Sequence, residues 1–303
     1  MKINKTTYKL IDELQRDGSL SYAELGNRLG LATRTVARKV QWLTSSGLIS
    51  IIAQPNPYKL GLSASALLAI KSNPTKNDTI CKSLGDNFHV NHVQIVFGRF
   101  DIIAMVYYPN WNQLHRFIYE DLYLIPGVKR VETYIIDETF KRYKKFFEKE
   151  PFETDQDALS PIDWALISSL SKDARTNPGK LAEELGVHKS TVYRRIETLV
   201  TGNFLKIRAI PNPIRLSAAA NAYIMMEVGS ANVSHICETL QIYDEILFVL
   251  TANQKSFIIA FVHASDTHTL YQFTRKKIFC LEGIEETETF IGAAGLKLYY
   301  ARI

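Results

Sequence analysis

The sequence predicts an α+β fold in which two winged helix-turn-helix domains alternate with two ferredoxin-like βαββαβ modules. Three observations carry this expectation. The 303-residue chain repeats itself, residue i returning at i + 156: Thr35-Val36 as Thr191-Val192, Arg38-Lys39 as Arg194-Arg195, Pro55-Asn56-Pro57 as Pro211-Asn212-Pro213, and Glu132-Thr133 as Glu288-Thr289. A period this long marks a duplicated domain set, because solenoid repeats run ~20–50 residues. The first ~50 residues of each copy have helical periodicity, and the rest alternates strand and helix. The expected boundaries are 1–54 and 161–210 for the helix-turn-helix domains, 55–140 and 211–303 for the modules, and 141–160 for a linker.

In copy one, Leu10, Ile11 and Leu14 form an apolar stripe that ends at Asp17-Gly18. Ser21, with Glu24 three residues on, is a capping box that starts a second helix ending at Gly30. A third helix runs from Thr33 to Ser45 and stops at Gly47. Copy two uses different punctuation: Asn177-Pro178 caps a helix that ends at Gly186, and the next spans Lys189 to Val200. The β-rich segments Leu48–Ala53 and Phe204–Ile210 follow. Each ends at a Pro-Asn-Pro turn, where proline blocks further pairing.

The remainder of copy one reads as strand Ala66–Lys71, helix Asp78–Leu84, a hairpin of Val90–Phe97 and Asp101–Tyr108 around Gly98-Arg99, helix Trp111–Leu122, and strand Val128–Ile136 after Pro126-Gly127. Copy two continues with Ala222–Val228, Ser234–Leu240, Glu245–Thr251, Ser256–His263, Thr267–Ile278 and Ile284–Ile291.

Composition excludes several classes. Hydrophobic content of 46% and charged content of 22% are those of a globular protein. No apolar run reaches ~18 residues, so neither a transmembrane helix nor a membrane partner is expected. The polar start MKINKTTYKL has no signal-peptide stretch, which leads to an expected cytoplasmic location. Three widely spaced cysteines give neither a zinc pattern nor a disulfide framework; Cys81 and Cys237, at matching positions, read as small core side chains. No glycine-rich phosphate loop, metal set or nucleophile motif is present, and no cofactor is expected. Charge is divided unevenly: residues 1–150 hold 21 Lys and Arg against 14 Asp and Glu, and the remainder is net negative. The first copy is thus the more attractive to a polyanion.

Two short helices joined by a Gly-containing turn form a helix-turn-helix, whose second helix enters the major groove with its first turns facing base edges. Copy one offers Thr33, Arg34, Thr35, Arg38 and Lys39 there. Copy two offers Lys189, Ser190, Thr191, Tyr193, Arg194 and Arg195. Arg donates two hydrogen bonds to guanine, and Ser and Thr serve bases or phosphates. Val36, Val40 and Leu43 return as Val192, Ile196 and Leu199 on the face to be buried. The adjoining β segment reads as a wing, where Lys206 and Arg208 reach phosphate. Double-stranded DNA is the expected partner.

These motifs, in this order and twice over, resemble the Lrp/AsnC (feast/famine) regulators. The resemblance rests on Gly30-Leu31, Thr35-Val36 and Lys39-Val40 and on their counterparts Gly186-Val187, Thr191-Val192 and Arg195-Ile196. Asp163 matches the leading aspartate of the family's first helix, and Thr7 stands in its place in copy one. The family's serine after the turn is replaced by Ala32 and His188, which shifts the expected cap to Thr33 or Ser190. The resemblance implies a regulatory module of the RAM type that senses amino acids or another small-molecule effector and pairs with a second module into a sandwich-like core. It implies homo-oligomers and an effector site near a Gly-x-x-Asp hairpin, here Gly98, Phe100 and Asp101. In copy two the hairpin is Gln254-Lys255-Ser256-Phe257, without either motif residue. Aspartate there orients a ligand amine or ties down the loop.

Two other readings share this architecture. Siroheme decarboxylases resemble the family in both domains and carry a His-Asn-Tyr stretch; copy one has Asn91-His92-Val93-Gln94, which matches only at His92. An architectural DNA-binding protein without an effector is the other, and loss of the hairpin motif in copy two favours it.

Overall fold

A computed structural model describes residues 3–142, 159–212, 220–229 and 231–293. Most of the expected linker, residues 143–158, lies outside the described residues, as do 213–219 and 294–303 at the two ends of the second module. Copy one contains α1 (Lys5–Arg16), α2 (Tyr22–Leu29), α3 (Thr33–Ser45), β1 (Ile49–Pro55), β2 (Ala64–Ser72), α4 (Asn77–Asp86), β3 (Val90–Phe97), β4 (Ile102–Tyr108), α5 (Trp111–Arg116) and β5 (Val128–Arg142). Copy two contains α6 (Pro161–Lys172), α7 (Pro178–Leu185), α8 (Lys189–Thr201), β6 (Leu205–Pro211), β7 (Ala220–Val228), α9 (Val233–Gln241), β8 (Ile246–Ala252), β9 (Phe257–Ala264), α10 (Thr267–Lys277) and β10 (Ile284–Gly292). The helix expected over Trp111–Leu122 holds its α form to Arg116. It then widens into a π-type turn that sends Phe117, Ile118 and Leu122 into the core. The chain divides into two compact units, each assembled from both copies.

The first unit joins the two helix-turn-helix parts. Its helices start where their caps dictate: Asn4 accepts from the Thr7 N–H, and the Ser21–Glu24 box is complete in both directions. Ser160 and Asp163 form a second box at α6. Leu10, Leu14, Leu25, Val36, Val40 and Leu43 interlock into one core, into which Ala209 of copy two is inserted.

The β segments that follow the reading helices, expected as wings, are used for pairing between the copies. β1 and β6 pair with each other, antiparallel, with Ile52 opposite Arg208 at the centre. Each copy's first turn then clamps the other's strand by the same contact: Gly18 N–H donates to the Ile207 carbonyl and Ala174 N–H to the Ile51 carbonyl, both at 2.9 Å. The Pro-Asn-Pro turns close the two ends alike, Asn56 N–H donating to the Phe204 carbonyl and Asn212 N–H to that of Leu48. Gly18 lies so close that a Cβ there would stand 2.7 Å from the Arg208 Cα. The side chain at the centre of the pair is turned inward with its strand. Arg208 is only 2% exposed, and burial pulls its guanidinium down to about 10. Lys206 is half-buried and its pKa is lowered by the same cause. The expected phosphate contacts of Lys206 and Arg208 are thereby corrected: the first is partly and the second wholly absorbed by copy-to-copy packing.

The second unit is a closed eight-stranded barrel in the order β10-β3-β4-β2-β5-β8-β9-β7. Each module supplies a four-stranded sheet with two helices, and the last strand of each crosses to the other's sheet. β5 runs past the expected Ile136 because Glu138 to Arg142 pair with β8. Strands buried on both faces need apolar residues at every position. In β2, Ala66, Leu68 and Ile70 meet the module's own helices, whereas Leu67 and Ala69 point into the barrel. In β7, Ala222, Ile224 and Met226 do the first, and Tyr223 and Met225 the second. Cys81 and Cys237 sit in the helix-side cores, and burial raises both thiols to about 12.

The barrel interior is not wholly apolar. His92 and Tyr223, one from each copy, are hydrogen-bonded through Nε2 and the phenol, and Gln94 Nε2 donates to Asn221 Oδ1 at 2.8 Å. Burial pushes the His92 imidazole down to about 4, against a smaller upward pull from Gln94. His92 is therefore neutral in the fold, while in the unfolded chain it takes up a proton below ~6.5. Its contribution to stability is complete above that pH and is lost as pH falls toward 4, a loss on the order of 3 kcal/mol. Burial lowers His89 and His263 in the same direction. Melting curves between pH 7.5 and 4.5 are expected to fall with acidification, and His92→Phe to fall less steeply. An equal slope in the variant would assign the acid loss to the other histidines.

Candidate nucleic-acid interface

α3 and α8 occupy matching places in the first unit, packed by Val36, Val40 and Leu43 and by Val192 and Leu199. Their starts are turned outward. Thr33, Arg34 and Arg38 are exposed and Thr35 is half-buried; in copy two Lys189, Ser190, Tyr193 and Arg194 are exposed and Thr191 is half-buried. Lys189 Nζ lies 5.7 Å from the Tyr193 ring centroid, so this pair presents an aromatic face with a cation beside it.

Two expected contacts belong elsewhere. Lys39 is buried, and its Nζ reaches the Thr7 Oγ1 at 3.3 Å. The counterpart Arg195 is half-buried and its Nη1 meets the Asp163 carboxylate at 3.4 Å, with Asp163 itself buried. The two positions do one job: a basic residue on the reading helix is tied to the first turn of the helix that opens its domain. This assigns the aspartate of the resemblance a structural role, and it explains why threonine suffices where lysine replaces arginine. The pattern that sets Lys39 beside Arg38 carries no sign of this, because one step along a helix turns a residue by ~100°.

The caps are also corrected. The N-caps are Ala32 and His188, with no shift to Thr33 or Ser190. His188 Nδ1 accepts from the Ser190 N–H at 3.4 Å, whereas Ala32 supplies no side-chain acceptor. In α3 the Thr35 N–H is met instead by the Ala32 backbone carbonyl at 2.8 Å.

In the second unit, the Gly98–Asp101 hairpin is tightly held. A Cβ on Gly98 would lie 2.8 Å from Phe290 Cδ1, so glycine is required there by close approach. Phe100 is 1% exposed, in the barrel interior with its ring 6.0 Å from that of Phe290. The Asp101 carboxylate accepts from the Ser72 N–H at 2.9 Å and pairs with Lys71 at 3.1 Å. Of the two roles open to it in the sequence, tying the loop is the one these bonds perform. Arg99, unassigned in the sequence, grips Glu288 through Nε and Nη2 and also reaches Glu132. Those glutamates are one position in the two copies. The sole sequence signal for this site is that Glu132 and Glu288 repeat where most surface residues have diverged. In copy two the corresponding turn has three successive left-handed residues, Asn253, Gln254 and Lys255, held by Asn253 Oδ1 to the Ile135 N–H and by the Lys255 N–H to Asp137.

Among the described residues, no helix is long and apolar enough to cross a membrane, and no cluster of three or more His, Cys, Asp or Glu has metal-site geometry. Family models match three segments: a winged helix-turn-helix DNA-binding domain over residues 3–50, an Lrp/AsnC ligand binding domain over 65–146, and an AsnC-type helix-turn-helix domain over 159–200. An HTH-type transcriptional regulator of Pyrococcus horikoshii is 34% identical over 124 residues, which is 41% of this chain and 78% of the relative. The HTH-type transcriptional regulator Ptr1 of Methanocaldococcus jannaschii is 24% identical over 46% of this chain and 95% of its own length. Among solved structures, the siroheme decarboxylase NirDL aligns over 95% of this chain and 91% of its own with a TM-score of 0.60, at 15% identity. That likeness is one of fold. The helix-turn-helix geometry, the paired βαββαβ modules and the sequence matches together place this chain in the Lrp/AsnC family, with the family's two-domain unit present twice in one polypeptide.

Proposed function

We propose that the chain is a sequence-specific, DNA-binding transcriptional regulator that reads a two-part site with α3 and α8. The observation that carries this reading is the recurrence, in one compact unit, of two helix starts with exposed hydrogen-bond donors and cations. The two sets differ: Arg34 and Arg38 face outward in one, and Ser190, Tyr193 and Arg194 in the other. The half-sites accordingly need not be palindromic, and their spacing follows the DNA turn of roughly 10 bp. Footprinting is expected to give two protected patches. Arg38→Ala and Arg194→Ala should weaken binding, each lowering the slope of log affinity against log salt by about one where a phosphate contact is lost. Lys39→Met should lower the melting temperature and leave that slope in place. Unchanged affinity in both arginine variants would remove the reading helices from the interface.

The module pair of the second unit is read as the sensor, with an amino acid or similar small molecule bound near the Gly98–Asp101 hairpin. Its support is the match of residues 65–146 to a ligand-binding domain and the contact of Arg99, in that hairpin, with the Glu132–Glu288 pair. A ligand at a hundred times its Kd stabilises the fold by ~2.7 kcal/mol. A thermal-shift panel of amino acids is therefore expected to show at least one concentration-dependent rise. A flat panel would favour the architectural protein without an effector. In this reading any homo-oligomer joins whole chains, each already paired internally.

The decarboxylase reading draws on the NirDL fold and on His92. Against it, His92 is 3% exposed and hydrogen-bonded to Tyr223 in the barrel interior, with burial keeping its imidazole neutral. Optical titration with siroheme is expected to give no saturable change. Tight binding with loss of carboxylates would overturn the regulator reading.

A further inference from the structure

In both units the copies pair through equivalent strands, β1 with β6 in the first, and β3 with β10 as β8 with β5 in the second. At the centre of the β1–β6 pair that relation is strict: Ile52 faces Arg208, and the two are the same position in the two copies. Both side chains are buried, Ile52 fully and Arg208 at 2% exposure. If two second copies paired, Arg208 would face a second Arg208, and two buried guanidinium groups would meet across adjacent strands. A buried cation tolerates an apolar neighbour far better than a like charge.

The barrel shows the same relation with neutral groups. His92 bonds to Tyr223, and Gln94 to Asn221. The counterparts of these four residues are Phe248, Leu67, Leu250 and Ser65. Two first copies would set His92 against Leu67 and Gln94 against the shorter hydroxyl of Ser65. Two second copies would set Tyr223 against Phe248 and Asn221 against Leu250. Either like pairing buries polar groups opposite side chains that cannot satisfy them.

We propose that the pairing surfaces of the two copies are coded as unlike partners: the face carrying Ile52, His92 and Gln94 fits the face carrying Arg208, Tyr223 and Asn221, and each rejects a second copy of itself. The kind of partner either surface accepts is the other half of this protein, from its own chain or another, and not the like half of a neighbour. One consequence rests on the DNA-reading assignment: α3 is always presented together with α8, and never with a second α3. The pairing code itself is independent of DNA.

Thermal melting of the full chain tests the code without any ligand. His92→Phe and Tyr223→Phe are each expected to lower Tm by roughly 3–10 °C, since each strands a buried polar partner. The double variant H92F/Y223F should melt no lower than the worse single, because no polar group is left without its mate. Additive losses would overturn the barrel half of the proposal. Ile52→Arg places like charges at the axis and should lower Tm further or prevent folding. The swapped variant I52R/R208I restores an unlike pair and is expected to melt near the parent. A tolerated Ile52→Arg, or a swap that recovers nothing, would overturn the proposal at the strand pair.

Discussion

The structure depends on one constraint: neither copy can bury its own sheet edges. A lone β1 presents backbone groups with nothing to pair them, and a lone four-stranded module leaves two open edges and a bare inner face. The other copy supplies what is missing each time. β6 completes β1, β5 crosses to β8, and β10 crosses to β3. The inner faces then become one core containing Leu67, Phe100, Tyr134, Tyr223, Phe261 and Phe290. This exchange fixes which side chains are inside, which strands are longer than their own module requires, and which basic residues are left to meet a polyanion.

The same constraint separates what is readable in the sequence from what is not. Helices announce themselves because their signals are local. The Ser21–Glu24 box, the Asn177-Pro178 start and the left-handed Gly30 and Gly186 ends act within a few residues. The βαββαβ order is readable for the same reason, from alternation and turn residues. Arg208 looks like an exposed wing residue in the sequence because what covers it, Gly18 and the β1 strand around Ile52, lies more than 150 positions away. Lys39 looks like a DNA contact because only the packed helix-turn-helix shows that it reaches Thr7 while Arg38 does not. The extension of β5 to Arg142 and the role of Arg99 depend equally on the partner copy. Residues whose surroundings come from their own few neighbours are legible, and residues answering to the other copy are not.

The two halves of this exchange have become specialised under different requirements. The Gly98–Asp101 hairpin of copy one turns on Gly98, which the Phe290 ring leaves no room to replace. Copy two makes the matching turn with three left-handed non-glycine residues, a conformation that costs roughly 1–2 kcal/mol per residue. Backbone and side-chain bonds from Asn253 to Ile135, and from Lys255 to Asp137, offset part of that. Copy two thus keeps its turn by anchoring it to copy one's last strand, whereas copy one keeps its turn by close packing. A ligand able to loosen or tighten the Arg99–Glu288 contact would act on both copies at once, because the glutamates it spans are the equivalent pair.

The reading helices show the same division at the level of single side chains. One basic residue on each is withdrawn to hold the helix to its own domain, Lys39 to Thr7 and Arg195 to Asp163. An ion pair with the buried Asp163 is directional, and removing Arg195 leaves that carboxylate without its charge partner. Lysine and threonine make a weaker bond that asks for less precise geometry. α8 is consequently the more firmly oriented of the two, with a side-chain cap from His188 and a charged tether. α3 has neither, yet it belongs to the more basic half of the chain. The side-chain cap and the ion pair thus belong to α8, and the more basic sequence to the half that carries α3. A duplicated gene can separate these tasks. A symmetric dimer of one sequence would have to satisfy both with the same residues.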